Sequence, residues 1–230
     1  MKRKWVALLS AATVGVLAPI GAVVWGGNRD DDGLLLNVET IRPGVTCPTN
    51  SPNGAYKLDR WFLPATGVTY TKYPGTFPPG LDAGPAIDNA FTTWEGTEVG
   101  NVFSAADAAG APSVVSNGTN AVFFAPLGGN AIATTYIWSD RKTKRLVEFD
   151  MVFNNYLEWG NLTGSGDCVS YSAFDVEDIA AHEIGHVVGV GHTSPNGANN
   201  AQSMYPYGQA GEIYKRSLAD GDIAAANAKY

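Results

Sequence analysis

Along residues 145–154 apolar and polar side chains alternate, with Val147, Phe149, Met151 and Phe153 set against Glu148, Asp150 and Asn154. A period of two predicts a strand with one buried face. Residues 68–73 carry Thr and Tyr in a similar alternation, and shorter strands are expected over residues 121–125 and 132–138. A different period rules after the turn-rich residues 74–85. There Ile87, Ala90, Phe91 and Trp94 recur at helical spacing until Gly96, an amphipathic helix with a glycine stop. A second helix is expected to start near Asp175, whose carboxylate can cap its first turn, with Asp178 three residues on. The chain closes on Ile223, Ala226, Asn227 and Tyr230, a short helical tail. Strands and helices in this order predict an α+β domain.

The ends of the pattern divide the chain. Lys2, Arg3 and Lys4 precede an apolar run from Trp5 to Gly27, and acidic residues follow. That pattern reads as a signal peptide or N-terminal membrane anchor over residues 1–27, through which residues 5–27 could hold the chain to a membrane. Residues 28–55, rich in Asp, Gly, Pro and Asn, read as a linker, and residues 56–230 as the folded domain. The 230 residues are 45% hydrophobic and 11% aromatic, enough for one core. A net charge of −7 argues against a nucleic-acid partner.

The two cysteines, Cys47 and Cys168, are most simply one disulfide in an exported protein. It would close a loop of about 120 residues, worth about 4–5 kcal/mol in the chain-entropy account. Alternatives are two buried thiols, or a Cys47 thiolate acting as a latency ligand on a metal.

The chemistry concentrates in His182-Glu183-Ile184-Gly185-His186-Val187-Val188-Gly189-Val190-Gly191-His192. Histidines four apart on a helix present two imidazoles to one point. Catalytic zinc takes three protein ligands, nitrogen at about 2.0–2.1 Å, and keeps a place for water. Glu183 lies next to the first ligand, within reach of that water. For His192 to return to the same metal the helix must stop at Gly189, where glycine tolerates a positive φ. The chain's three histidines all fall on these positions.

This segment and Ser203-Met204-Tyr205-Pro206 resemble the zinc-binding signature and Met-turn of the metzincins. Thr193 and Pro206 make the chain most similar to the matrixin branch. The resemblance also takes in Arg60-Trp61, residues 68–70, Ala90-Phe91 with Trp94, and residues 148–154. It implies a twisted, mostly parallel sheet with an antiparallel edge strand at residues 132–138, an active-site helix and a C-terminal helix. It further implies that Met204 forms an apolar floor beneath the ligands, that Pro206 and Tyr207 border the substrate pocket, and that substrate pairs with the edge strand. No cysteine-switch propeptide matches, and no histidines remain for a second zinc. Gly221 stands where the first of two aspartates belongs, before Asp222. Calcium cannot be placed. The expected function is a secreted or extracytoplasmic metalloendopeptidase, a monomer with one zinc, cutting protein or peptide substrates. The rival is a non-catalytic, zinc-stabilised surface binding module, whose mark would be loss of Glu183.

Overall fold

The computed structural model describes residues 33–44, 47–48 and 53–230; the expected signal or anchor at residues 1–27 lies outside them. The strands are β1 (Leu34–Pro43), β2 (Lys57–Leu58), β3 (Val68–Lys72), β4 (Phe103–Asp107), β5 (Asn120–Ala125) and β6 (Ala133–Asp140). They continue with β7 (Leu146–Asn154), β8 (Trp159–Gly160), β9 (Phe174–Asp175), β10 (Val190–Gly191) and β11 (Tyr207–Gly208). The helices are α1 (Gly84–Glu95), α2 (Val176–Val187) and α3 (Asp220–Lys229). Seven strands form one sheet in the order β11-β1-β6-β7-β5-β3-β4, and β10-β2 and β8-β9 are two-stranded ribbons. Within the large sheet β6 alone runs against its neighbours. The expected α+β class and the mostly parallel sheet therefore hold.

Two expectations are corrected. The linker over residues 28–55 contains β1, a ten-residue strand. Strand β1 pairs with β6 from Leu34 opposite Asp140 to Ile41 opposite Ala133, so β6 is an inner strand rather than the edge. The turn-like composition around this stretch hides Leu34, Leu35, Leu36, Val38 and Ile41, whose pairing depends on a partner a hundred residues away. The second correction concerns β7. Glu148 and Asp150, expected to face water, are buried. A loop covers them: Glu148 accepts from the amides of Asn117 and Gly118, and Asp150 from those of Val115 and Ala121. Burial carries the Asp150 pKa up to about 7, with those two amides acting against the rise.

Helices α1 and α2 pack together on one face of the sheet. Ile87, Ala90, Phe91 and Trp94 are the buried stripe of α1, each large side chain contributing roughly 1.5–3 kcal/mol by leaving water. The Trp94 indole N–H donates to Ala181 O of α2 at 2.7 Å, which fixes α2 along its axis as well as sideways. The start of α2 is held as firmly. Asp175 caps the Asp178 amide at 2.9 Å, accepts from the Leu162 amide, and receives a two-pronged contact from Arg216 at 2.7 and 2.5 Å.

Asp175 is fully buried and Arg216 keeps some contact with water. Arg216→Ala is expected to cost about 3 kcal/mol in urea unfolding, the low end of the range for leaving a buried charge unpaired. A change below about 0.5 kcal/mol, typical of plain surface substitutions, would mean that Asp175 is satisfied without it.

Candidate active site

Helix α2 carries His182, Glu183 and His186, all fully buried. The helix ends at Val187, and Gly189 takes φ +82°. Glycine is required there twice over, because a Cβ would also strike Trp61 O and the Lys229 side chain. The return leg is β10, paired with Leu58 and Lys57 of β2, and it delivers His192 to the two helical histidines. Ligand atoms of the three rings lie within 4.8 Å of one another. The Nε2 atoms of His182 and His186 are each 3.1 Å from Nε2 of His192.

The chemistry of these nitrogens is set from behind. Nδ1 of His182 meets Ser203 O at 2.6 Å, and Nδ1 of His186 meets Val190 O at 3.0 Å. A carbonyl can only accept, so each Nδ1 carries the hydrogen and each Nε2 is left a bare lone pair. Burial keeps both imidazoles neutral by lowering their pKa well below the usual value, and holds His192 down at about 4. Lone pairs converging on one point repel each other without a cation between them. Three neutral nitrogen donors, with no fourth ligand grouped with them among the described residues, fit a catalytic zinc. Among the described residues this is the one cluster of His, Cys, Asp or Glu with such spacing.

Glu183 is placed by a residue the sequence did not single out. Thr135 Oγ1 of β6 donates to Glu183 Oε2 at 2.6 Å, while Oε1 is buried and makes no hydrogen bond of ordinary geometry. Burial raises the Glu183 pKa to about 8, opposed by Thr135 and by the amide N–H of Ile41. A divalent cation close by would draw it down again. Oε1 is thus an unpartnered acceptor on the residue next to the first histidine.

Met204 is fully buried and explains Gly185, a position whose significance the sequence did not show. A Cβ at Gly185 would collide with Met204 Sδ and with Trp94. Asp222 secures the Met204 turn: its carboxylate accepts from the amides of Ser203 (2.8 Å), Met204 (3.2 Å) and Ala219 (3.0 Å). At Gly221 a side chain would meet Ala55 O, so the aspartate missing from that position has no room. Cys47 and Cys168 form a disulfide with Cα atoms 6.0 Å apart, which removes Cys47 as a metal ligand. Pro206 and Tyr207 border the groove beside β6, but β1 is seated against them: the Arg42 amide donates to Pro206 O at 3.3 Å, and Arg42 pairs with Tyr207. The structure thus brings the three histidines together, sets Met204 against Gly185 of the same helix and places Pro206 and Tyr207 beside β1. Ile41, Glu39, Thr135 and Asp222 join them without a local signal in the sequence.

Comparison with curated proteins finds no match. A profile of the matrixin family, Peptidase_M10, matches residues 82–230, a span that covers α1, the histidine helix, the Met204 turn and α3. On that match and this geometry, the chain belongs to the matrixin family of zinc-dependent peptidases.

Proposed function

We propose that the protein is a zinc-dependent endopeptidase of extracellular or cell-surface proteins, with His182, His186 and His192 as ligands and Glu183 as general base. The observation that carries this reading is the pairing of three converging imidazole lone pairs with the unpartnered Oε1 of Glu183. Zinc held there supplies a Lewis acid that lowers the pKa of a water toward about 7 and polarises the scissile carbonyl.

The chain's own groups do the rest. Glu183 accepts the water proton and passes it to the departing amine, so no serine or cysteine nucleophile is needed. Thr135 holds one carboxylate oxygen and thereby aims the other. Met204, fully buried, keeps the floor beneath the ligands apolar. Strand β1 occupies the edge of β6, so an extended substrate would pair with β6 only where β1 gives way, with Pro206 and Tyr207 flanking the pocket for its side chain. The disulfide supports an oxidising compartment, as export through residues 1–27 would provide. Among the described residues no helix is long and apolar enough to cross a membrane.

Metal analysis of the purified protein should find one zinc per chain. His192→Ala should lose it during dialysis that the wild type survives; an unchanged zinc content would refute the ligand set. Glu183→Ala should keep both zinc and fold, yet cleave casein about 10²–10⁴-fold more slowly, the usual range for a lost general base. Turnover within about 3-fold of wild type would remove Glu183 from the chemistry. A chelator should abolish casein cleavage and added zinc restore it; activity that persists without metal would sink the proposal.

A further inference from the structure

His192 is held differently from the other two histidines. Backbone carbonyls stand behind Nδ1 of His182 and His186. The group facing Nδ1 of His192 is Glu39 Oε2 at 3.9 Å, outside hydrogen-bond reach. The third ring is therefore placed by its main chain. That main chain leaves α2 through Val188 and Gly189, and only Val190 and Gly191 separate Gly189 from His192. Glycine permits the positive φ at Gly189 but does nothing to enforce it. A peptide unit beside a glycine turns over at little steric cost, so the unit joining Val188 to Gly189 needs a hold from outside.

The end of α3 supplies it. The Tyr230 hydroxyl donates to Val188 O at 2.9 Å and accepts from the Leu63 amide at 3.0 Å, so one oxygen ties the exit of α2 to residues 61–63. That segment is itself fastened to the β6–β7 connection and to β7. The Phe62 amide donates to Lys144 O and the Leu146 amide to Phe62 O, both at 2.8 Å, and the Arg145 guanidinium donates to Leu63 O at 2.6 Å. Lys229 adds a second tie: its ammonium donates to Asp59 O at 3.0 Å, and the Asp59 amide donates to Gly189 O at 2.9 Å. The Phe62 ring serves both side chains. Tyr230 meets it edge-on with centroids 6.4 Å apart, and Lys229 Nζ lies 4.2 Å from its centre. With the Trp61 indole on His186 O at 2.9 Å, the carbonyls of His186, Val188 and Gly189 are all engaged.

We infer that Tyr230 and Lys229 are positioning residues for His192, fixing the peptide units that carry this ring to the metal site. The inference rests on the reading of the three histidines as zinc ligands given above. Neither side chain belongs to the donor set; each acts through a main-chain carbonyl. Loss of either hold leaves His182 and His186 fixed by their helix and frees the third donor alone.

The test sets Tyr230→Phe, which removes a hydroxyl and keeps the ring, beside Tyr70→Phe. The second variant removes the same atom from β3, where it donates to Asp88 of α1 at 2.7 Å. Full-length chains are loaded with zinc and, separately, with cobalt(II). Tyr230→Phe should release zinc to a chelator at least ~10-fold faster than wild type, the low end for losing an outer partner of a metal ligand. The visible spectrum of its cobalt form should change, and in the metal-free chain the Gly189 amide should exchange hydrogen ~10-fold faster. Lys229→Met, which keeps most of the stem without the donor, should speed release as well, and it decides alone if Tyr230→Phe does not fold. Tyr70→Phe should match wild type in release and spectrum, whatever happens to its urea midpoint. Wild-type release and spectrum in both Tyr230→Phe and Lys229→Met overturn the inference and leave the zinc site standing. An effect in only one of the two overturns the role of the other. Equal acceleration in Tyr70→Phe reveals general loosening and overturns both. A wild-type chain that binds no zinc removes the ligand reading, and the inference falls with it.

Discussion

Two backbone carbonyls, Ser203 O and Val190 O, set the chemistry on which the rest of the structure depends. By accepting from Nδ1 of His182 and His186 they choose the tautomer, and the tautomer leaves two buried rings with the bare Nε2 lone pairs that a metal would take. One carbonyl belongs to the turn before Met204 and the other to the leg that carries His192. The geometry of the donors is therefore only as good as the placement of those two loops. Much of the remaining architecture does that placing. Asp222 holds the first loop through two amides, and the β2 ribbon holds the second. Trp61 donates to His186 O and the Tyr230 hydroxyl to Val188 O, so the frayed end of α2 has partners for its last carbonyls.

How much of this could be read from the residues depends on the range of the interaction. Helix α1 was legible because its buried stripe recurs within one segment. The active-site motif was legible because helical geometry brings His182 and His186 together without help. Gly189 could be assigned its role because a positive φ is a local demand. Strand β1 failed the same kind of reading: its exposed Leu36 and Val38 and its polar Asn37, Glu39 and Thr40 show no clean period. It is a strand because β6 has an open ladder beside it. Strand β7 misled for a related reason. Its alternation is real, but the polar face serves as a set of acceptors for a loop, a use that hydropathy alone cannot distinguish from solvation. Asp222 lies on a helix of weak amphipathicity, and only the fold brings it to Ser203 and Met204.

The groove is a compromise between recognition and exposure. A sheet edge that can accept any extended chain is an aggregation hazard as well as a substrate site. Here the chain's own strand covers that edge, and β11 pairs with the far side of β1 at Arg42 and Pro43. Ile41 supplies the one deep contact, and the hydroxyls of Thr40 and Thr134 meet at 3.1 Å on the outer face. Occupancy thus rests mainly on main-chain bonds, with the side chains of Ile41 and Thr40 adding to them.

The dependence of the histidine pocket on Asp222 also has a consequence for biosynthesis. The ligands are translated before the residue that fixes the loop beneath them, and β1 before both. None of the three is useful alone, so a nascent chain presents histidines that are still rotating freely. A preformed donor set rarely exists before folding, so metal binding at such a site is coupled to folding. Divalent ions compete for such nitrogen donors according to what is at hand as much as by intrinsic affinity. For a chain that folds after crossing a membrane, the ion supply on the far side decides which metal the protein acquires.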